Sequence, residues 1–253
     1  MVENGYHMLA SKKKKFKIVV TGGSGRFAQS LKKNTGKYNM IFPNKTELNI
    51  LNINSIKRYL MKNKPRFLVH LAGLSRPMSM HDKNISKSIN LNIIGTANIV
   101  RACSQLKIKI IYFSTSYVYP GTKGNYKERD PLLPVNNYAW SKLGGEAAVQ
   151  MYKNSLILRI CMTEKPFVHK SAFADVKTNF IYHEDLVKIF LKLINKKGVI
   201  NVGGPTQTVY NFVRKENPKI KKIKARDIDG LNFPVNSSMN LKKLKSFLKK
   251  NKI

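Results

Sequence analysis

The feature that most constrains this 253-residue chain is a glycine-rich turn set between a buried apolar run and an amphipathic one. Lys17–Thr21 reads as a short buried strand. It runs directly into Thr21-Gly22-Gly23-Ser24-Gly25-Arg26-Phe27-Ala28, and over residues 25–33 Phe27, Ala28 and Leu31 fall on one helical face. Strand, glycine turn and helix in so few residues is the context in which a dinucleotide pyrophosphate meets helix N–H groups. Gly22 permits the tight turn, Gly25 lets the backbone approach the phosphates, and Ala28 allows the helix to lie close on the strand. The same turn can also serve as a loop that binds nothing.

The alternation continues along the chain. Strands are expected over residues 39–42, 66–71 (ending in Ala72-Gly73), 108–114 and Ser155–Ile160, with helices over 53–61, 85–105 and 137–152. Strands alternating with helices imply an α/β, doubly wound parallel sheet of the Rossmann type with right-handed crossovers. Beyond Arg159 the pattern loosens to a helix over 180–194, a strand over 199–202 and a lysine-rich end whose Leu241, Leu244, Phe247 and Leu248 share a face. The expected organisation is a basic lead-in at 1–15, a dinucleotide-binding core at 16–160, and a small, reduced C-terminal lobe at 161–253 interleaved with late sheet elements.

Composition removes other classes. Hydrophobic residues at 42% and aromatics at 9% suit a packed domain rather than a disordered chain. The longest apolar stretches, 108–113 and 156–162, are too short to span a bilayer, and no apolar signal segment follows the N-terminal lysines. Cys103 and Cys161 have no metal-ligand spacing and read as buried small hydrophobes, which fits a reducing, cytoplasmic setting; no metal site is expected from His70, His81 and His169 either. The net charge of +34 by itself suggests a polyanionic partner. The lysines are spread evenly among abundant Asn and Ile, however, and no basic stretch is interleaved with stacking aromatics, so coding bias explains them and no specific nucleic-acid partner is expected. Lys12–Lys15 is simplest as a solvated lead-in.

In Tyr138-Ala139-Trp140-Ser141-Lys142 a phenol and an ammonium stand four apart on an expected helix, so they share a face. A phenol is a poor acid–base catalyst near neutrality, and a neighbouring ammonium brings it closer to the working range. Upstream, Phe113-Ser114-Thr115-Ser116-Tyr117 ends a strand where an open α/β sheet presents ligands, so a hydroxyl there can orient a substrate oxygen. Phe42-Pro43-Asn44-Lys45, after the second strand, lacks the carboxylate that would select NAD. Lys45 and Arg26 can pair with a 2′-phosphate, so the cofactor is expected to be NADP or NAD with a lean to NADP; coding bias accounts equally well for both cations. Arg159 is expected to be paired at the surface, His70 to be a packed core histidine, and Trp140 to be packing.

These residues together resemble the extended short-chain dehydrogenase/reductase family of NAD-dependent epimerase/dehydratase type, and within it the dTDP-4-dehydrorhamnose reductases. The resemblance covers roughly residues 16–250 and rests on the glycine loop, His70-Leu71-Ala72-Gly73, Asn92-Ile93-Ile94-Gly95-Thr96, Ser114-Thr115-Ser116-Tyr117-Val118-Tyr119 and the lead from Tyr126 to Tyr138. It implies a catalytic Thr115, Tyr138 and Lys142; a cofactor site of Gly22, Gly25, Arg26, Phe27, Lys45, Ala72, Gly73 and Asn92 with Tyr138 and Lys142; and substrate contacts from Ser75, Thr115 and Ser116. Asn52 stands where the resemblance implies an aspartate beside the adenine amine, and its amide oxygen can accept the same bond. The implied activity is reduction of a keto group on a nucleotide-activated sugar by a homodimer; an epimerase or dehydratase, or a cofactor-binding regulatory or assembly protein, stay open beside it.

Overall fold

Seven parallel-sheet and crossover elements open the computed structural model, which describes residues 16–228 and 233–249 and so leaves Lys12–Lys15 outside. They are β1 (Lys17–Thr21), α1 (Arg26–Lys33), β2 (Asn39–Ile41), α2 (Ile53–Asn63), β3 (Phe67–His70), α3 (Met80–Lys83) and α4 (Ile85–Ser88). A π-helical segment (Ile89–Ile94) then leads into α5 (Gly95–Gln105), β4 (Lys109–Thr115), α6 (Asn137–Gln150) and β5 (Ser155–Ile160). Short strands follow as β6 (Met162–Thr163), β7 (Ser171–Phe173), β8 (Lys177–Thr178) and β9 (Ile181–Tyr182). The chain continues through α7 (His183–Leu193), β10 (Gly198–Val202), β11 (Gln207–Thr208), α8 (Val209–Val213), β12 (Lys221–Ile223) and α9 (Lys242–Lys249).

Six strands form one parallel sheet in the order β10-β5-β4-β3-β1-β2. Every residue of β4 and β5 is buried, as a sheet covered on both faces requires. Alternate residues feed two cores. Ile18, Val20, Val69, Ile111, Phe113 and Leu158 meet Leu31 of α1 and Phe190 of α7 on one face. Val19, Leu68, Ile110 and Ile157 meet Ile56, Ile99, Cys103 and Val149 of α2, α5 and α6 on the other. The order reverses at β1, so its carboxyl end and that of β3 flank a crevice.

A third, smaller core of Ala172, Val176, Val209, Val213, Ile220 and Ala225 builds the lobe, whose strands pair only two or three residues at a time. Asn179, 1% exposed, ties it together by donating to Gly204 O and Thr206 Oγ1 and accepting from Met239 N. Leu244 of α9 is buried, and Leu241, Phe247 and Leu248 pack beside it on the main core.

Two expected helices differ. The stretch 85–105 is broken by the π segment, because Thr96 Oγ1 donates to Asn92 O at 2.7 Å and Gly145 of α6 crowds that carbonyl. The helix expected from residue 180 starts at His183, because Ile181–Tyr182 is taken as β9 by β6. Among the described residues no helix is long and apolar enough to cross a membrane.

Candidate active site

The crevice begins at the turn after β1. Gly22 holds φ +71°, and a Cβ there would lie 2.6 Å from Ala72 N, so only glycine lets this turn cross the end of β3. Gly25 N donates to Gly22 O at 2.9 Å and closes the turn. Thr21 Oγ1 accepts from Leu71 N and Ala72 N, each at 3.2 Å, and shares a 2.8 Å hydrogen bond with His70 Nδ1. His70 is the packed core histidine expected: its Nε2 lies 3.1 Å from Thr96 Oγ1, and burial, followed by the charge of Lys142, pushes its pKa from 6.5 down to about 3. No side chain caps α1 at Gly25, so its first-turn N–H groups are free to meet an anion, which fits a dinucleotide pyrophosphate. Phe27 itself packs on Phe113 and His183 in the core, leaving its backbone rather than its ring to such a contact.

The three proposed catalytic side chains come from two neighbouring elements. Thr115 ends β4, and its Oγ1 caps the turn Ser116–Val118 by accepting from Tyr117 N at 3.3 Å. Tyr138 and Lys142 stand one turn apart on α6, which starts at Asn136 because its Oδ1 accepts from Ala139 N at 2.9 Å. The Thr115 hydroxyl lies close enough to the Tyr138 phenol to favour its ionised form. Burial raises the phenol's pKa above 10.0, outweighing that effect and the charge of Arg76. Arg76 is a cation whose charge favours the ionised phenol. Lys142 lies with Nζ 4.2 Å from the centre of the Tyr112 ring; burial lowers its pKa to about 7 against the opposing charge of Glu146.

The remaining expected residues are placed as follows. Ala72 and Gly73 line the β3 end, and Ser75 is exposed in the loop beyond them. Asn92 stands behind that loop with its polar atoms used inside the protein: Oδ1 accepts from Leu74 N at 2.7 Å, while Nδ2 donates to Leu74 O and Ser141 Oγ. Ser141 Oγ in turn donates to Tyr138 O, so Asn92 fixes the loop to α6. Ser116 is 0% exposed, and its hydroxyl has no hydrogen-bond partner among the described residues. Asn52 Oδ1 caps α2 by accepting from Asn54 N and Ser55 N, so it serves its own helix rather than an adenine amine. Lys45 is exposed in the turn that Asn44 organises after β2. Arg26 reaches the other way, pairing with Glu164 Oε1 at 2.6 Å, and Arg76 pairs with Glu164 Oε2 at 3.0 Å. Burial would raise the Glu164 pKa, but the Arg26 hydrogen bond, its backbone bond and Arg76 hold it at about 2.

Two expectations about burial are corrected. Arg159 is 2% exposed and paired in the core with Glu146, because its position in β5 points it inward beneath α6. Trp140 is 48% exposed and borders an apolar pocket with His81, Ile85, Ile89 and Ile93 instead of packing inside. Arg76, Glu146 and Glu164 carried no motif. A sequence signal did exist for Glu146, a carboxylate four residues after Lys142 on one helix. Among the described residues no group of three or more His, Cys, Asp or Glu could hold a metal ion.

The family model described as the RmlD substrate binding domain matches residues 16–202. A dTDP-4-dehydrorhamnose reductase of Aggregatibacter actinomycetemcomitans is 27% identical over 200 residues, 75% of this chain and 63% of that protein. The methionine adenosyltransferase 2 subunit beta of Pongo abelii is 28% identical over 142 residues, 53% of this chain and 42% of that protein. This chain thus spans less than two thirds of either relative. The crystal structure of dTDP-4-dehydrorhamnose reductase from Bacillus anthracis str. Ames in complex with NADP superposes with a TM-score of 0.82 at 21% identity, covering 92% of each chain.

Proposed function

Because the chain belongs to the RmlD substrate binding domain family, we propose that it is an NAD(P)-dependent oxidoreductase that reduces a keto group on a nucleotide-activated deoxysugar. The observation that carries this reading is the meeting of Thr115 with Tyr138, one turn from Lys142, beside an uncapped helix N-terminus after a glycine turn. A bound reduced nicotinamide would supply the hydride. Thr115 orients the carbonyl oxygen, and Tyr138 gives that oxygen its phenolic proton as the carbon is reduced. Burial raises this phenol's pKa further above neutrality, which suits proton donation to a ketone better than proton removal from an alcohol. Lys142 would hold the cofactor's ribose, Gly22, Gly25 and the α1 N–H groups its pyrophosphate, and Lys45 a 2′-phosphate, favouring NADP. The free, buried Cys103 and Cys161 suit work in the cytoplasm, and the exposed apolar side chains of α4, the π segment and α6 suit a homodimer.

The test is NADPH consumption on adding dTDP-4-keto-deoxysugars. One NADPH oxidised per sugar reduced supports a reductase; an epimerase or dehydratase would convert sugar with no net consumption. A second reading, a cofactor-binding subunit of another enzyme, is favoured by the similarity to methionine adenosyltransferase 2 subunit beta proteins. Dinucleotide binding with no turnover on any nucleotide sugar would favour it over the first.

A further inference from the structure

Beneath the site lies a charge that the proposed chemistry does not use. Glu146 follows Lys142 by four residues on α6 and Tyr138 by eight, so the three share one face. It is 0% exposed. Its Oε1 accepts from Arg159 Nη2 at 2.6 Å, Arg159 Nε at 3.1 Å and Gln150 Nε2 at 3.0 Å, and its Oε2 accepts from Ser114 Oγ at 2.5 Å. Ser114 immediately precedes Thr115 on β4, and Arg159 lies on β5 with Nη1 donating to Tyr119 Oη and Glu128 O. One carboxylate therefore joins the helix that carries Tyr138 and Lys142 to the strand that carries Thr115. Stability alone is a weak reason for such a group, since a buried ion pair can often be replaced by apolar residues without loss.

We propose that Glu146 is a positioning residue of this site: it anchors α6 against the end of β4, so that Thr115 and Tyr138 meet, and it supplies the negative charge that Lys142 faces one turn away. The other groups around Lys142 do not supply that charge. They are the Tyr112 ring of β4, His70 of β3 and His81 of α3, both with lowered pKa, and the Tyr138 phenol of its own helix. Burial lowers the Lys142 pKa to about 7, and Glu146 is the charge that opposes this.

The use of Lys142 in turnover rests on the reductase reading, so the test begins without substrate. Lysine 13Cε resonances are titrated in the unliganded protein, with Lys142 assigned by Lys142→Arg. Glu146→Gln should lower the Lys142 midpoint by roughly one pH unit. Glu146→Gln/Arg159→Met, which leaves no orphaned buried guanidinium, should lower it by a smaller amount, because a positive charge is lost with the negative one, and covers the case in which the single variant fails to fold. Ser114→Ala keeps the charge and should leave the midpoint in place while lowering kcat several-fold. Where turnover is measurable, the alkaline limb of kcat should move to lower pH in the two Glu146 variants and stay in place in Ser114→Ala. An unmoved Lys142 midpoint in the double variant overturns the electrostatic role, and full kcat in Ser114→Ala overturns the anchoring role. A shifted midpoint with no turnover on any nucleotide sugar would instead count against the reductase reading alone.

Discussion

At Tyr138 a single hydroxyl separates a proton donor from an inert ring of nearly the same shape. Tyr138→Phe should reduce kcat by about 10²–10⁴-fold, the usual worth of a positioned acid, with dinucleotide affinity close to wild type by calorimetry; full turnover in this variant would end the proposed mechanism. His70 offers a test of stability. Its folded pKa of about 3 lies far below the 6.5 of an exposed imidazole, so between these values the unfolded chain binds the extra proton. Stability from this group is thus complete above pH 6.5 and lost as pH falls toward 3, by a few kcal/mol at about 1.36 kcal/mol per pKa unit. Urea unfolding across that range should show this acid slope in wild type and a shallower one in His70→Gln. The placement of Tyr138 and Lys142 one turn apart on one helix was legible because it is written as a local motif. Arg76 and Glu164 escaped because they meet across 88 residues, and the burial of Ser116 was not legible because it is set by packing around the turn after β4.

Among elements, α6 matters most because it carries both the phenol and the ammonium, and its seat depends on a close approach. A Cβ on Gly145 would come 2.5 Å from Asn92 O and 2.8 Å from Tyr112 Oη, so α6 would have to lift from the π segment. Gly145→Ala should cost about 1–3 kcal/mol in chemical denaturation, as overpacking commonly does, and reduce turnover by more than the folded fraction explains. A variant with wild-type stability would show that this contact does not set the helix. Strand and helix order through β5 was readable because each element is an uninterrupted apolar or 3.6-periodic run. The lobe was not readable, because β6 to β9 are two or three residues long and find partners up to about fifty residues away, which no local pattern records.

For the whole molecule, the formal charge of +34 opposes compaction. Added salt screens that repulsion, so thermal melts should shift upward between low and moderate ionic strength, and a falling Tm would show that attractive pairs dominate instead. Ile85, Ile89 and Trp140, 56%, 41% and 48% exposed, form an apolar face that water leaves unsatisfied. If a second copy covers it, Trp140→Glu should halve the mass seen by light scattering, and an unchanged mass would leave that face without such a role.

The sequence by itself determined the parallel sheet, the glycine turn and the phenol–ammonium helix, because each is encoded by neighbours a few residues apart, where chain geometry fixes who meets whom. Only the tertiary structure decided that Arg159 is buried on Glu146, that Asn52 caps its own helix, and that Arg76 comes near Tyr138. Those outcomes depend on which surfaces are excluded from water once distant segments pack, and burial of that kind is a property of the assembled fold rather than of any window of the chain.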